Sequence, residues 1–153
     1  NRRLMITINN DLNPFAFLIT LTHEIAHAFV YKKYGRSASS HGREWKSMFK
    51  SLMLNFLAKD IFPRDILTSL SMHLIKPTST TSNDIDLSLI LREYDRKKEL
   101  TIIDIKKGDH FIFSNRSFVK GVRLRKRFRC KEIQTNRIYL FNPLVNITLL
   151  KTV

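Results

Sequence analysis

The stretch PFAFLITLTHEIAHAFVYKKY, Pro14 to Tyr34, decides how this chain reads. Asn13 ahead of it is a good helix cap, and Pro14 sits at the first helical position, where its missing N–H costs nothing. Gly35 beyond it suits the left-handed turn that ends helices. One unbroken helix is predicted, apolar almost all round, which marks it as buried, so its few polar residues need a reason. Three of them fall in His23-Glu24-Ile25-Ala26-His27. Residues four apart on a helix differ by roughly 40° in azimuth, so both imidazoles leave one face a turn apart and can grip one metal ion. Glu24 points to the flank of that face, where its carboxylate reaches a water on the metal without occupying the metal itself. That placement suits a general base.

Zinc prefers four ligands in a tetrahedron, and a catalytic site uses three protein ligands and leaves one corner open. The third ligand is expected at His41, which follows the Gly35 stop and a short loop and opens the next helix. Glu44, one turn further on, is the alternative third ligand. With five His and five Glu in 153 residues, a random order produces this H-E-x-x-H spacing with a probability of roughly half a per cent. A buried helix carrying two imidazoles and a carboxylate is also costly unless those groups are paired. A Zn2+ cofactor accounts for all three at once. The expected reaction is peptide-bond hydrolysis: zinc lowers the pKa of its water toward about 7 and polarises the carbonyl, while Glu24 moves the proton to the leaving amine. Tyr31, two turns after His23, reads either as a phenol near the same face or as a packing residue.

Outward from this helix, Ile6-Thr7-Ile8 alternates like a short strand and Asn9-Asn10-Asp11 supplies a turn. Downstream, Ser37 to Ser40 form a loop leading to a second helix from about His41 to Leu57, with Trp45, Met48, Phe49, Leu52, Met53 and Phe56 as its core-facing stripe. A third helix, Arg64 to Leu74, is expected to stop before Pro77. The cluster Thr78 to Asn83 reads as a linker. Beyond Leu100 the period changes to 2, with strand-like runs at 101–105, 110–114, 118–133, 137–141 and 145–150. The expectation is therefore an α+β protein. Residues 1–77 form a helical metallopeptidase core with a short N-terminal strand, 78–99 connect, and 100–153 form a small, basic antiparallel β module.

Composition narrows the functions. The 27 Lys+Arg against 13 Asp+Glu give a net charge of +14, enough to draw polyanions. Cys130 is the only cysteine, which excludes an internal disulfide and any cysteine-built zinc finger and fits a reducing compartment, the cytoplasm. The longest apolar stretch, Phe15 to Tyr31, is broken by polar residues, so no membrane span is expected. The first residues, Asn1-Arg2-Arg3-Leu4, contain neither a starting Met nor a signal-peptide apolar run, and a fragment missing its natural beginning is expected.

One segment of the basic half stands apart. Arg116 to Lys131 holds eight Lys or Arg and no acid. Arg123, Arg125, Arg127, Arg129 and Lys131 share one parity, so a single strand would present them as a cationic row about 7 Å per step, close to the spacing of phosphates. Sequence-independent nucleic-acid binding is expected from that row; a solvated edge strand is the plainer alternative. Phe111, Phe113, Phe118 and Tyr139 read as core or as stacking residues. His73 and His110 have no partner at ligand spacing and read as structural.

The run from Ile6 to Pro14, His23-Glu24-Ile25-Ala26-His27 and His41-Gly42-Arg43-Glu44-Trp45 together resemble the SprT-like zinc metallopeptidases, which include the Spartan proteases. The resemblance implies zinc ligands at His23, His27 and His41 and a catalytic acid/base at Glu24. Spartan-like members cleave proteins crosslinked to or tightly bound on DNA, so a protein substrate and a DNA partner are implied. Two departures stand out: with Cys130 alone the chain cannot build the four-cysteine zinc ribbon of many relatives, and the helical segment that usually precedes the strand is not in this sequence. A second class of function stays open, a non-catalytic nucleic-acid-binding protein whose zinc only holds its helices together.

Overall fold

Asn13 starts the fold as its chemistry predicts. In the computed structural model, which describes residues 5–75 and 84–150, its side-chain oxygen accepts from the backbone N–H of Phe15 and Ala16, and α1 runs over Pro14–Tyr34. Gly35, with φ of 61°, closes the helix, a backbone shape that costs glycine nothing. The chain divides into two compact units, Asn1–Arg96 and Lys97–Val153.

The first unit is helical. After α1 come α2 (Arg43–Leu54), α3 (Arg64–Ile75) and α4 (Ile85–Arg92). Its core joins Ile19, Ala26 and Val30 of α1 to Trp45, Phe49 and Met53 of α2, with Phe62, Ile66, Leu70, Leu74, Leu87 and Leu91 completing it. The α2 stripe expected from spacings of three and four is the face that packs here. The Asn13 amide also donates to the Leu91 carbonyl and to Asp95, so one side chain caps α1 and ties down the end of α4. Asp84 works similarly: it caps α4 through Leu87 N–H and accepts from the buried His73. The structural reading of His73 thus has a concrete partner.

Three expectations change in this unit. Ile6-Thr7-Ile8 is not a strand, because the described part of the helical unit offers no sheet edge to pair with it. The segment read as a connector, 78–99, contains α4, whose Leu87 and Leu91 are buried with the helices; the Thr78 to Asn83 cluster itself and Pro77 lie outside the described residues. Finally, α1 is buried along one stripe only: Phe17, Phe29, Tyr31 and Tyr34 are exposed.

The second unit is a five-stranded antiparallel sheet in the order β4-β3-β2-β1-β5, formed by β1 (His110–Phe113), β2 (Arg116–Arg123), β3 (Phe128–Glu132), β4 (Ile138–Phe141) and β5 (Thr148–Leu150). One face packs Phe111, Phe118, Phe128, Cys130 and Phe141 against Ile102 and Ile105. Phe111 and Phe118 are therefore core residues, and Phe113 lies at the rim. The run at 101–105 forms a 3-10 turn instead of a strand, because Asp104 accepts from both the backbone N–H and the hydroxyl of Thr101 and curls the chain. The turn at Ser114-Asn115 is a two-residue hairpin with positive φ at both positions. Together the two units give the α+β class that the change of period implied. Among the described residues no helix is long and apolar enough to cross a membrane.

Candidate metal centre

His23 and His27 project from α1 as their four-residue spacing requires, and His41, just ahead of α2, is carried back onto them. The Nε2 atoms of the three rings lie 3.1 Å (His23 to His27), 3.0 Å (His27 to His41) and 3.3 Å (His23 to His41) apart. These contacts cannot all be hydrogen bonds. A ring nitrogen either carries a proton or offers a lone pair, so in a triangle at least one contact sets like against like. A cation facing three lone pairs removes the conflict. The edges also approach the roughly 3.3 Å of a tetrahedron built on nitrogen bonds of about 2.0–2.1 Å. The three histidines can hold a metal ion, and the donor set fits one.

Glu24 stands beside the triangle and outside it, its Oε1 4.0 Å from His23 Nε2 and its side chain partly open to solvent. Glu44, the alternative ligand, is not among the clustered donors; its carboxylate lies over Gly42. Gly42 is itself a close fit, since a β-carbon there would meet Ser39 at 3.1–3.2 Å and Glu44 at 3.3 Å. The loop that delivers His41 is drawn tight at that point.

Trp45 read in the sequence as a core residue and as the end of the His41-to-Trp45 run, with no role at the metal centre. It is 1% exposed, and its ring lies 4.6, 5.3 and 4.9 Å from the ring centroids of His23, His27 and His41. Its indole N–H donates to the His23 carbonyl at 3.4 Å, and its ring stacks on Phe49 at 5.0 Å. The tryptophan is a dry floor that fixes all three imidazoles. Its position four residues after His41, in the first turn of α2, is the sequence signal for this role.

The electrostatics suit a ligand set. Burial lowers the pKa of His23 from 6.5 to about 4, with help from His27 and then His41. His27 is lowered too, first by burial and then by His41, against a partial pull upward from Glu24. Both rings are thus neutral at physiological pH, with lone pairs available. Tyr31 is 49% exposed, so it does not pack in the core.

In the β unit the five cations do not form one row. The stretch 118–133 folds into a hairpin: β2 ends at Arg123, the Leu124 N–H donates to the Arg127 carbonyl at 2.7 Å, and β3 starts at Phe128. A register shift between Lys120 and Arg123 then pairs Arg123 with Phe128, on the face opposite to Arg129 and Lys131. Gly121 permits this, because a β-carbon there would lie 2.1 Å from the Arg129 carbonyl oxygen. Arg125 and Arg127 sit at the tip beside Lys126. All five cations are exposed. Sequence reading also missed a network inside this unit: Arg116 donates to Glu132 at 2.5 Å and to the Tyr139 hydroxyl at 2.6 Å, and Thr135 donates to Glu132. Arg116, then Thr135, holds the Glu132 carboxyl down to about 2. Tyr139 is thereby committed to the fold.

Comparison with known families places this geometry in context. The SprT-like family model matches residues 6–65, the segment that contains α1, α2 and all three histidines. Neither the comparison with curated proteins nor that with solved structures found a match. Over residues 6–65, the histidine-bearing part of the helical unit, the chain is similar to the SprT-like family.

Proposed function

We propose that this protein is a zinc-dependent metallopeptidase that hydrolyses peptide bonds in DNA-associated or DNA-crosslinked proteins in the cytoplasm. The observation that carries the reading is the triangle of His23, His27 and His41 Nε2 atoms with the Glu24 carboxylate beside it. Three clustered imidazoles with a carboxylate beside them match a catalytic zinc site, in which the ion would supply Lewis acidity and make a water acidic enough to lose a proton near pH 7. His23, His27 and His41 would hold the ion by Nε2. Trp45 keeps water off the buried side. The Glu24 carboxylate accepts the proton of the attacking water and delivers it to the departing amine nitrogen.

The DNA part of the reading rests on the β unit. Arg123, Arg125 and Arg127, with Lys126, surround the hairpin tip, and Arg129 and Lys131 line one face of β3. Guanidinium groups pair well with phosphates, and an array without acids favours backbone contact over base readout. The experiment is Glu24→Gln in the full chain, assayed on a DNA-bound protein substrate. Loss of cleavage with zinc retained supports the peptidase. If the wild type cleaves nothing and the variant matches it in every measurement, the zinc is structural and the protein only binds nucleic acid.

A further inference from the structure

Large exposed apolar side chains on a helix that otherwise supplies the core call for an account when they form a pattern. Phe17 is 41% and Tyr31 49% exposed on α1, and Glu24 lies midway between them, seven residues from each. Seven residues of α-helix rotate to within about 20° of two full turns and advance about 10.5 Å. Phe17, Glu24 and Tyr31 therefore form one stripe along the helix, with the carboxylate at its centre. Phe29 is 50% exposed too, but it sits about 140° around the helix from Glu24 and off the stripe. The exposure of Phe17 and Tyr31 is thus continuous with the metal centre, whereas that of Phe29 is not.

The distance carries the argument to a ligand. An extended peptide advances about 3.3 Å per residue, so 10.5 Å is about three residues. The full stripe, about 21 Å, matches about six extended residues, and residues six apart share a face, so a polypeptide with its reacting carbonyl at Glu24 can set the side chain three residues before the residue that bears that carbonyl over one of Phe17 and Tyr31 and the side chain three residues after it over the other. We infer that the Phe17–Glu24–Tyr31 stripe is the wall on which an extended polypeptide substrate lies, selecting apolar or aromatic side chains about three residues to either side of the residue whose carbonyl is attacked. This inference rests on the peptidase reading above and names what that site selects.

The test uses the full zinc-loaded chain and two labelled nine-residue peptides, one with Phe at the third position on each side of the central residue and one with Ser there. Binding is read by fluorescence anisotropy on the Glu24→Gln variant, and cleavage by kcat/KM on the unsubstituted protein. The Phe peptide is expected to bind and react about tenfold better. Phe17→Ala and Tyr31→Ala should each remove most of that preference, Tyr31→Phe and Phe29→Ala should keep it, and zinc content and circular dichroism should stay unchanged in all four. Equal preference in Phe17→Ala, Tyr31→Ala and the parent overturns the inference. So does a dimer that Phe17→Ala dissociates, since the stripe would then be a contact between copies. Because anisotropy needs no turnover, selective binding that depends on the stripe but is accompanied by no cleavage sustains the inference and sinks the peptidase reading instead.

Discussion

Two sets of like-charged or like-natured side chains were prominent in this sequence, and the fold treats them in opposite ways. Three histidines spread over eighteen residues converge to within 3.3 Å, while five cations spread over eight residues diverge around a hairpin. A helix has a fixed period that the backbone enforces, so spacing of four means one face. A strand has a period of two only while it remains one strand in one register, and a turn or bulge cancels it.

The sharpest break of this comparison is Glu24→Gln. It should lower cleavage by about 10²- to 10⁴-fold, the usual contribution of an acid/base group, with zinc content unchanged by metal analysis. Next is Trp45→Ala, which empties the floor under the histidines. Replacement of a fully buried tryptophan costs about 3–5 kcal/mol, so the thermal midpoint should drop sharply and zinc affinity should fall with it. The acid response comes third. In chelator, the unfolded chain protonates His23 near 6.5 whereas the folded chain resists until about 4. The unfolded state therefore binds more protons across that window, and stability present above pH 6.5 is lost as pH falls toward 4. Urea midpoints at pH 7.5, 6 and 5 should decline, and His23→Ala should flatten the decline.

For the cations, the double change Arg125→Glu with Arg127→Glu should weaken duplex DNA binding and reduce its log-log salt slope by about 1.8, because two phosphate contacts are lost. Zinc content should not move, since the substitutions are in the other unit. The smallest effect is expected from Glu44→Ala. Its carboxylate lies over Gly42 and outside the histidine triangle, so bound zinc should equal the unsubstituted protein's within error.

Legibility followed the same divide. The cap at Asn13, the stop at Gly35 and the stripe of α2 were readable because each depends on neighbours within a few residues. The second job of Asn13, bonding Leu91 and Asp95, was not, because those partners lie 78 and 82 residues away. The hairpin at Leu124 to Arg127 carries no Gly, Asn, Asp or Pro to mark a turn, so the alternating parity ran straight through it. Gly121 was the one local sign of the register shift. Ile6-Thr7-Ile8 had the right alternation for a strand and lacked the partner that makes one. At the metal centre the spacing revealed which rings meet, whereas Trp45, legible as a core residue and a motif position, gave no sign that it lies against all three.

The central claim is that His23, His27 and His41 share one zinc ion. Metal analysis of the purified protein beside its His41→Ala variant tests it most directly: about one zinc per chain is expected in the first and at least a hundredfold weaker binding in the second, beyond the 10- to 100-fold typical of outer-shell changes. No zinc in the unsubstituted protein, or undiminished zinc without His41, would contradict the account.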